Sequence, residues 1–182
     1  STSNTATPNT TLTNGGTVNL TGKTGIYYVV AKACDQAGNC TTKASNPFYL
    51  DNGIPIITFN PNGNTAYAKS RTTTVNVNAN TGDINTIKYV VSNKSTDSAS
   101  SGTTLTNGGT VTISGVTGLY YVIVEACDKA GNCKTQASNP FYMDNTAPTI
   151  TLTPNTNTTW AKSYNIGVSI TANTGEIDAI YV

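Results

Sequence analysis

The run Gly118-Leu119-Tyr120-Tyr121-Val122-Ile123-Val124-Glu125-Ala126-Cys127, followed by Asp128-Lys129-Ala130-Gly131-Asn132 and Cys133, decides the fold class. It is dense in β-branched and aromatic side chains, which fit the pleated surface of a strand. Tyr120, Val122, Val124 and Ala126 fall on one face at a period of two, and Tyr121, Ile123, Glu125 and Cys127 fall on the other. Asp128, Gly131 and Asn132 then supply turn chemistry. The stretch predicts a strand from Leu119 to Cys127, opened by Gly118, and a five-residue turn into a last strand from Cys133 to Met143.

A closely similar run occurs once before, as Gly25 to Cys40, 93 positions earlier. That offset also carries Asn14-Gly15-Gly16 onto Asn107-Gly108-Gly109, and Asn46-Pro47-Phe48-Tyr49 onto Asn139-Pro140-Phe141-Tyr142. Ala68-Lys69-Ser70 recurs as Ala161-Lys162-Ser163, and Ala79-Asn80-Thr81-Gly82 as Ala172-Asn173-Thr174-Gly175. The register holds without a gap to about Ile180. A period this long exceeds the roughly 20 to 50 residues of solenoid units and suits one small domain per repeat. Residues 53–145 make one complete repeat, residues 1–52 match the later strands of a preceding one, and residues 146–182 match the early strands of a third.

Within the complete repeat the period-two pattern predicts strands at Ile54–Asn60, Thr73–Asn78, Ile84–Ser92 and Thr110–Ser114, besides the two already named. Asn93 to Thr104 is rich in Ser and Thr and predicts a loop with at most one short edge strand. Asn107-Gly108-Gly109 is a hairpin-turn signal. Some seven short strands in one repeat, with no amphipathic helix, predict an all-β chain of two-sheet sandwiches.

Composition removes several function classes. Only 10% of the 182 residues are charged, the net charge is +1 and there is no His, whereas an average soluble chain is about 25% charged. No basic stripe is present to neutralise phosphates, so no nucleic-acid partner is expected. Imidazole general bases and the zinc sets that contain His are absent because there is no imidazole, and the few carboxylates form no acid/base pair beside a nucleophile. No enzyme activity and no cofactor are therefore expected. No apolar run is long enough to cross a membrane as a helix, so this segment is not expected to insert. The polar positions are dominated by uncharged Thr and Asn, which suits an extracellular structural protein.

Gly25, Tyr27, Tyr28, Val29, Ala33, Asp35, Ala37, Gly38 and Asn39, then Phe48, Asp51, Asn52 and Pro55, form a pattern that recurs from Gly118 to Pro148. This pattern resembles the bacterial immunoglobulin-like repeats of secreted and cell-wall proteins, especially of Firmicutes, and the resemblance covers essentially the whole chain. It implies tandem immunoglobulin-like β-sandwiches at a cell surface, serving as stalks, spacers or adhesive modules, with no shared catalytic residue. The chain departs from that family at Cys34, Cys40, Cys127 and Cys133, where Thr or Ser is more usual.

Those four cysteines stand in two pairs across predicted hairpins. A directly opposed cross-strand pair brings its Cβ atoms to about 4.5–5.5 Å, near what a disulfide requires. Closing so short a loop contributes roughly 2 kcal/mol in the chain-entropy model. Cys34–Cys40 and Cys127–Cys133 are thus expected as local disulfides, which implies an oxidising compartment. Pairing between chains and free or redox-active thiols are the alternatives.

Four further sets have two readings each. Asp35, Asp51, Asp128 and Asp144 are calcium candidates near turns and junctions, although they are few for six to eight oxygen ligands, and Asx turn capping serves as well. Tyr67 and Trp160 occupy equivalent positions in the predicted loop after the first strand, suited either to stacking on a sugar or to covering a sandwich end. Lys69 and Lys162 recur, and a Lys–Asn isopeptide crosslink would require burial beside a carboxylate. Asn-x-Ser/Thr sequons are as frequent as a chain so rich in Asn and Thr produces by chance.

Two functions follow as expectations. The favoured one is a stalk or filament body with Asp-Asn-x-x-Pro linkers, whose partners are neighbouring repeats or identical subunits arranged head to tail. The other is an adhesive module holding a glycan or host protein in its sandwich-end loops. The variable segment Ser1–Thr10, against Lys94–Thr103, carries no aromatic residue and favours the stalk. Because both ends fall inside the repeat, either a window on a longer polymeric chain or strand complementation between subunits is expected, the former more strongly.

Overall fold

The computed structural model describes residues 1–174 and 176–182, so Gly175 of the recurring Ala-Asn-Thr-Gly lies outside the described residues. Among the described residues the chain is all-β with no helix, and hence none able to cross a membrane. Its strands are β1 (Gly25–Tyr27), β2 (Val30–Cys34), β3 (Cys40–Ala44), β4 (Phe48–Leu50), β5 (Ile56–Asn60), β6 (Asn64–Ala68), β7 (Ser70–Asn78) and β8 (Ile84–Ser92). They continue as β9 (Thr103–Thr104), β10 (Thr110–Ser114), β11 (Gly118–Asp128), β12 (Cys133–Ala137), β13 (Phe141–Met143), β14 (Thr149–Thr153) and β15 (Gly167–Thr171).

Strands β5 to β13 form two sheets. One has the order β10-β7-β5, and the other β6-β13-β11-β8-β9 with β12 paired to β11. Alternation decides what lies between them. Ile57 and Phe59, Val75 and Val77, and Val111 and Ile113 come from the first sheet, while Ile87, Val122, Val124, Ala126, Phe141 and Met143 come from the second. These residues make one buried cluster, the arrangement of a β-sandwich. The face assigned to Val122, Val124 and Ala126 from their spacing is the core face.

Four details differ from the sequence expectation. The strand expected from Cys133 to Met143 is broken at Ser138-Asn139-Pro140, because Pro140 has no N–H to give the ladder. Ser138 bridges the break: its N–H donates to Val122 O at 2.9 Å and its hydroxyl accepts from Val122 N at 3.0 Å. Tyr67 is not in a loop but on β6, which pairs in parallel with β13. Asn107-Gly108-Gly109 joins no hairpin, since β9 and β10 belong to different sheets. Gly108 adopts φ 77°, which a side chain would resist, and the Asn107 amide extends the β10 ladder by bonding Val77 N and Val77 O, both at 2.8 Å. Lastly, Ile123 is only 1% exposed although its alternation places it opposite the core face.

The flanking strands repeat the pairings of the sandwich. Val30↔Ala44 through Cys34↔Cys40 matches Ile123↔Ala137 through Cys127↔Cys133 at the 93-residue offset. Gly25↔Leu50 matches Gly118↔Met143, and Thr149↔Thr171 matches Ile56↔Asn78.

Candidate functional site

The positions to weigh are the hairpin turns and the linkers, where the recurring Cys, Asp and Asn residues lie. Both cysteine pairs are closed. Cys34–Cys40 and Cys127–Cys133 each have Cα atoms 4.1 Å apart, directly opposite in register. Disulfides of this kind are typical of extracellular proteins.

Each closed hairpin holds an Asp–Asn box inside its turn. Asn132 donates its N–H to Asp128 Oδ1 and its side-chain amide to Asp128 Oδ2, both at 2.9 Å, while Asp128 N donates to Asn132 O at 3.0 Å. Asn39 does the same to Asp35 at 2.8 and 2.9 Å, and Gly131 supplies the turn with φ 93°. The Asn side-chain amide, then the turn N–H groups, hold the Asp128 carboxyl below its usual 3.8, and Asp35 is shifted the same way by Asn39. Lys129 closes the outside of the turn on Asp83 at 2.9 Å, with both side chains largely exposed.

The linkers are pinned with equal regularity. Asn52 N donates to the Thr24 hydroxyl at 3.0 Å, and its side-chain amide donates to Lys23 O. Asn145 N donates to the Thr117 hydroxyl at 3.0 Å, and its amide donates to Val116 O at 2.7 Å and Lys69 O at 3.2 Å. Asp51 Oδ1 accepts from Gly53 N, and Asp144 Oδ1 accepts from Thr146 N, each at 2.9 Å. The four calcium candidates therefore each cap a turn through their own oxygens. Among the described residues no group of three or more His, Cys, Asp or Glu is placed to hold a metal ion.

The remaining sites separate. Tyr67 stacks on Tyr142 with ring centroids 5.3 Å apart and planes tilted by 55°, so it packs within its own sandwich. Trp160 is fully exposed. Lys69 and Lys162 are both exposed rather than buried beside a carboxylate. Thr117 and Ser138 were not singled out from the sequence, although their recurrence at Thr24 and Ser45 is a signal that would find them. Comparison with protein-family models, with curated proteins and with solved structures finds no match to this chain.

Proposed function

We propose that the chain is a structural module of a bacterial extracellular surface protein or filament, a stalk of tandem immunoglobulin-like sandwiches with disulfide-closed hairpins. The observation that carries this reading is where the two linkers meet the sandwich. The first enters beside the Asn78 end of β7, since Ile56 pairs with Asn78 and Asn132 reaches the Asp51 carbonyl. The second leaves beside the Ser70 end, where Asp144 N donates to Ala68 O and the Asn145 amide to Lys69 O. At about 3.3 Å per residue, the strand between them spans roughly 30 Å. Linkers at opposite ends carry load in line, and the nearly uncharged Thr/Asn surface and local disulfides suit the outside of a cell.

Immunolabelling of intact producing cells tests the reading. Label on unpermeabilised cells, together with an elongated particle in small-angle scattering, is the expected result. Label that appears only after permeabilisation refutes it. Binding to a glycan array or to host matrix proteins, lost on loop substitution, would favour the adhesive module instead.

A further inference from the structure

The linker before the sandwich is gripped by two loops of the sandwich itself. Asn132 donates its side-chain amide to Asp51 O at 3.0 Å. A Cβ built on Gly82 would lie 3.5 Å from Asp51 Oδ2, and one on Gly53 would lie 3.3 Å from Asn80 Nδ2. The linker therefore packs closely on residues 79–83. Those residues are tied in turn to the disulfide hairpin. Lys129 N donates to Asp83 O at 2.9 Å, and the Lys129 ammonium meets Asp83 Oδ2 at 2.9 Å.

Every group that the hairpin gives to this joint lies between Cys127 and Cys133. Lys129 and Asn132 make the outward bonds, and Asp128, only 1% exposed, holds Asn132 in place. The ladder between β11 and β8 shifts register between Cys127 and Asp128, so regular strand pairing is interrupted where the turn begins. The disulfide is the covalent tie at that point. It is also within reach of solvent, since Cys133 is exposed, Cys127 is half-buried and neither belongs to the buried cluster. Exposed disulfides are the ones that exchange readily with external thiolates.

We propose that the Cys127–Cys133 disulfide is a thiol-sensitive latch on the joint between residues 1–52 and the sandwich. A dithiol reductant supplies the two electrons. Its thiolate attacks one cysteine sulfur, the S–S bond breaks and a mixed disulfide forms. Its second sulfur then displaces that cysteine, which leaves two cysteine thiols carrying the reductant's two protons and a cyclic disulfide of the reductant. With the bond open, the turn is held by its own hydrogen bonds alone and the hairpin end opens locally. Asn132 then leaves Asp51 O more often, and the linker swings more widely while the core stays folded. The inference rests on the stalk reading for its consequence, a stalk that is stiff when oxidised and flexible when reduced.

The test uses the 182-residue polypeptide carrying Cys34→Ser and Cys40→Ser, so that only the second hairpin responds. Dithiothreitol in native buffer should reduce the bond, and alkylation then keeps it open. Amide hydrogen exchange over residues 51–56 and 128–133 should speed about two- to tenfold, as the loss of one hydrogen bond gives. β7, β8 and β11 should keep their protection, and the small-angle scattering distance distribution should broaden. Cys127→Ser with Cys133→Ser, open without alkyl groups, should behave as the reduced protein does. A bond reduced only in denaturant overturns the proposal. So does a linker that exchanges at the parent rate in either open form, or protection lost throughout the core, which would make the disulfide a global brace. Surface labelling of cells does not depend on these outcomes, so failure here and failure of the stalk reading are separate results.

Discussion

The side-chain amide of Asn132 donates to the backbone carbonyl of Asp51 at 3.0 Å while holding Asp128 Oδ2 at 2.9 Å. One side chain thereby joins the turn of the disulfide hairpin to the linker that precedes the sandwich. Its counterpart Asn39 makes only the bond within the turn.

Asn132→Ala removes both bonds. Net contributions of about 0.5–1.5 kcal/mol per hydrogen bond give an expected loss of about 1–2 kcal/mol in urea unfolding of the sandwich. The linker should loosen as well, seen as a broader distance distribution in small-angle scattering. A variant that loses stability but keeps its scattering profile would show that the Asp51 bond does not orient the linker.

The Asp128 carboxyl predicts how stability responds to acid. Its folded pKa lies below the usual 3.8, held there first by the Asn132 amide and then by turn N–H groups. A depressed folded value means that the contribution is complete above the unfolded pKa and is lost as pH falls through the folded one. Urea midpoints should therefore be flat above about pH 5 and fall below about pH 4. Asp128→Asn should lower the neutral plateau and flatten the acid limb. Asp83→Asn, which breaks an exposed, solvent-screened ion pair with Lys129, should leave the neutral urea midpoint nearly unchanged.

Removing the hairpin disulfide by Cys127→Ser together with Cys133→Ser tests the chain-entropy account. The short loop predicts a loss of about 2 kcal/mol, or a calorimetric midpoint on the order of 10 °C lower for a domain of this size. The sandwich should still fold, because neither cysteine belongs to the buried cluster. An unchanged midpoint would mean that the unfolded hairpin is already constrained without the bond.

These residues divide by how much a local pattern could tell. Ile84–Ser92 and Thr110–Ser114 were legible to the residue. Thr110–Ser114 alternates buried and exposed side chains, and that alternation shows in its composition. Asn64–Ala68 carries no such pattern: it is an edge strand with mostly exposed side chains, formed because β13 offers it a parallel partner. The break before Phe141 was missed, although Pro140 has no N–H to give a ladder, and the bridge by Ser138 depends on which strand lies opposite. The disulfide register followed from counting across the turn. The bond from Asn132 to Asp51 did not, since it spans 81 residues and depends on how the linker enters the sandwich.

Phe141 and Phe48 turn the comparison between sandwich and flank into a measurement. Both stand in Asn-Pro-Phe-Tyr, and both begin three-residue strands paired antiparallel to a Gly-x-Tyr run. Only Phe141 is covered, at 0% exposed against 47% for Phe48. Phe141→Ala opens the core and should cost about 3–5 kcal/mol, enough to unfold much of the sandwich population on mild heating. Phe48→Ala in dilute protein should leave the thermal midpoint of the sandwich nearly unchanged, because no core depends on it there. Calorimetry on the two variants side by side reads this contrast. A Phe48→Ala protein that unfolds as early as Phe141→Ala would show that the stability of the sandwich depends on Phe48 as well.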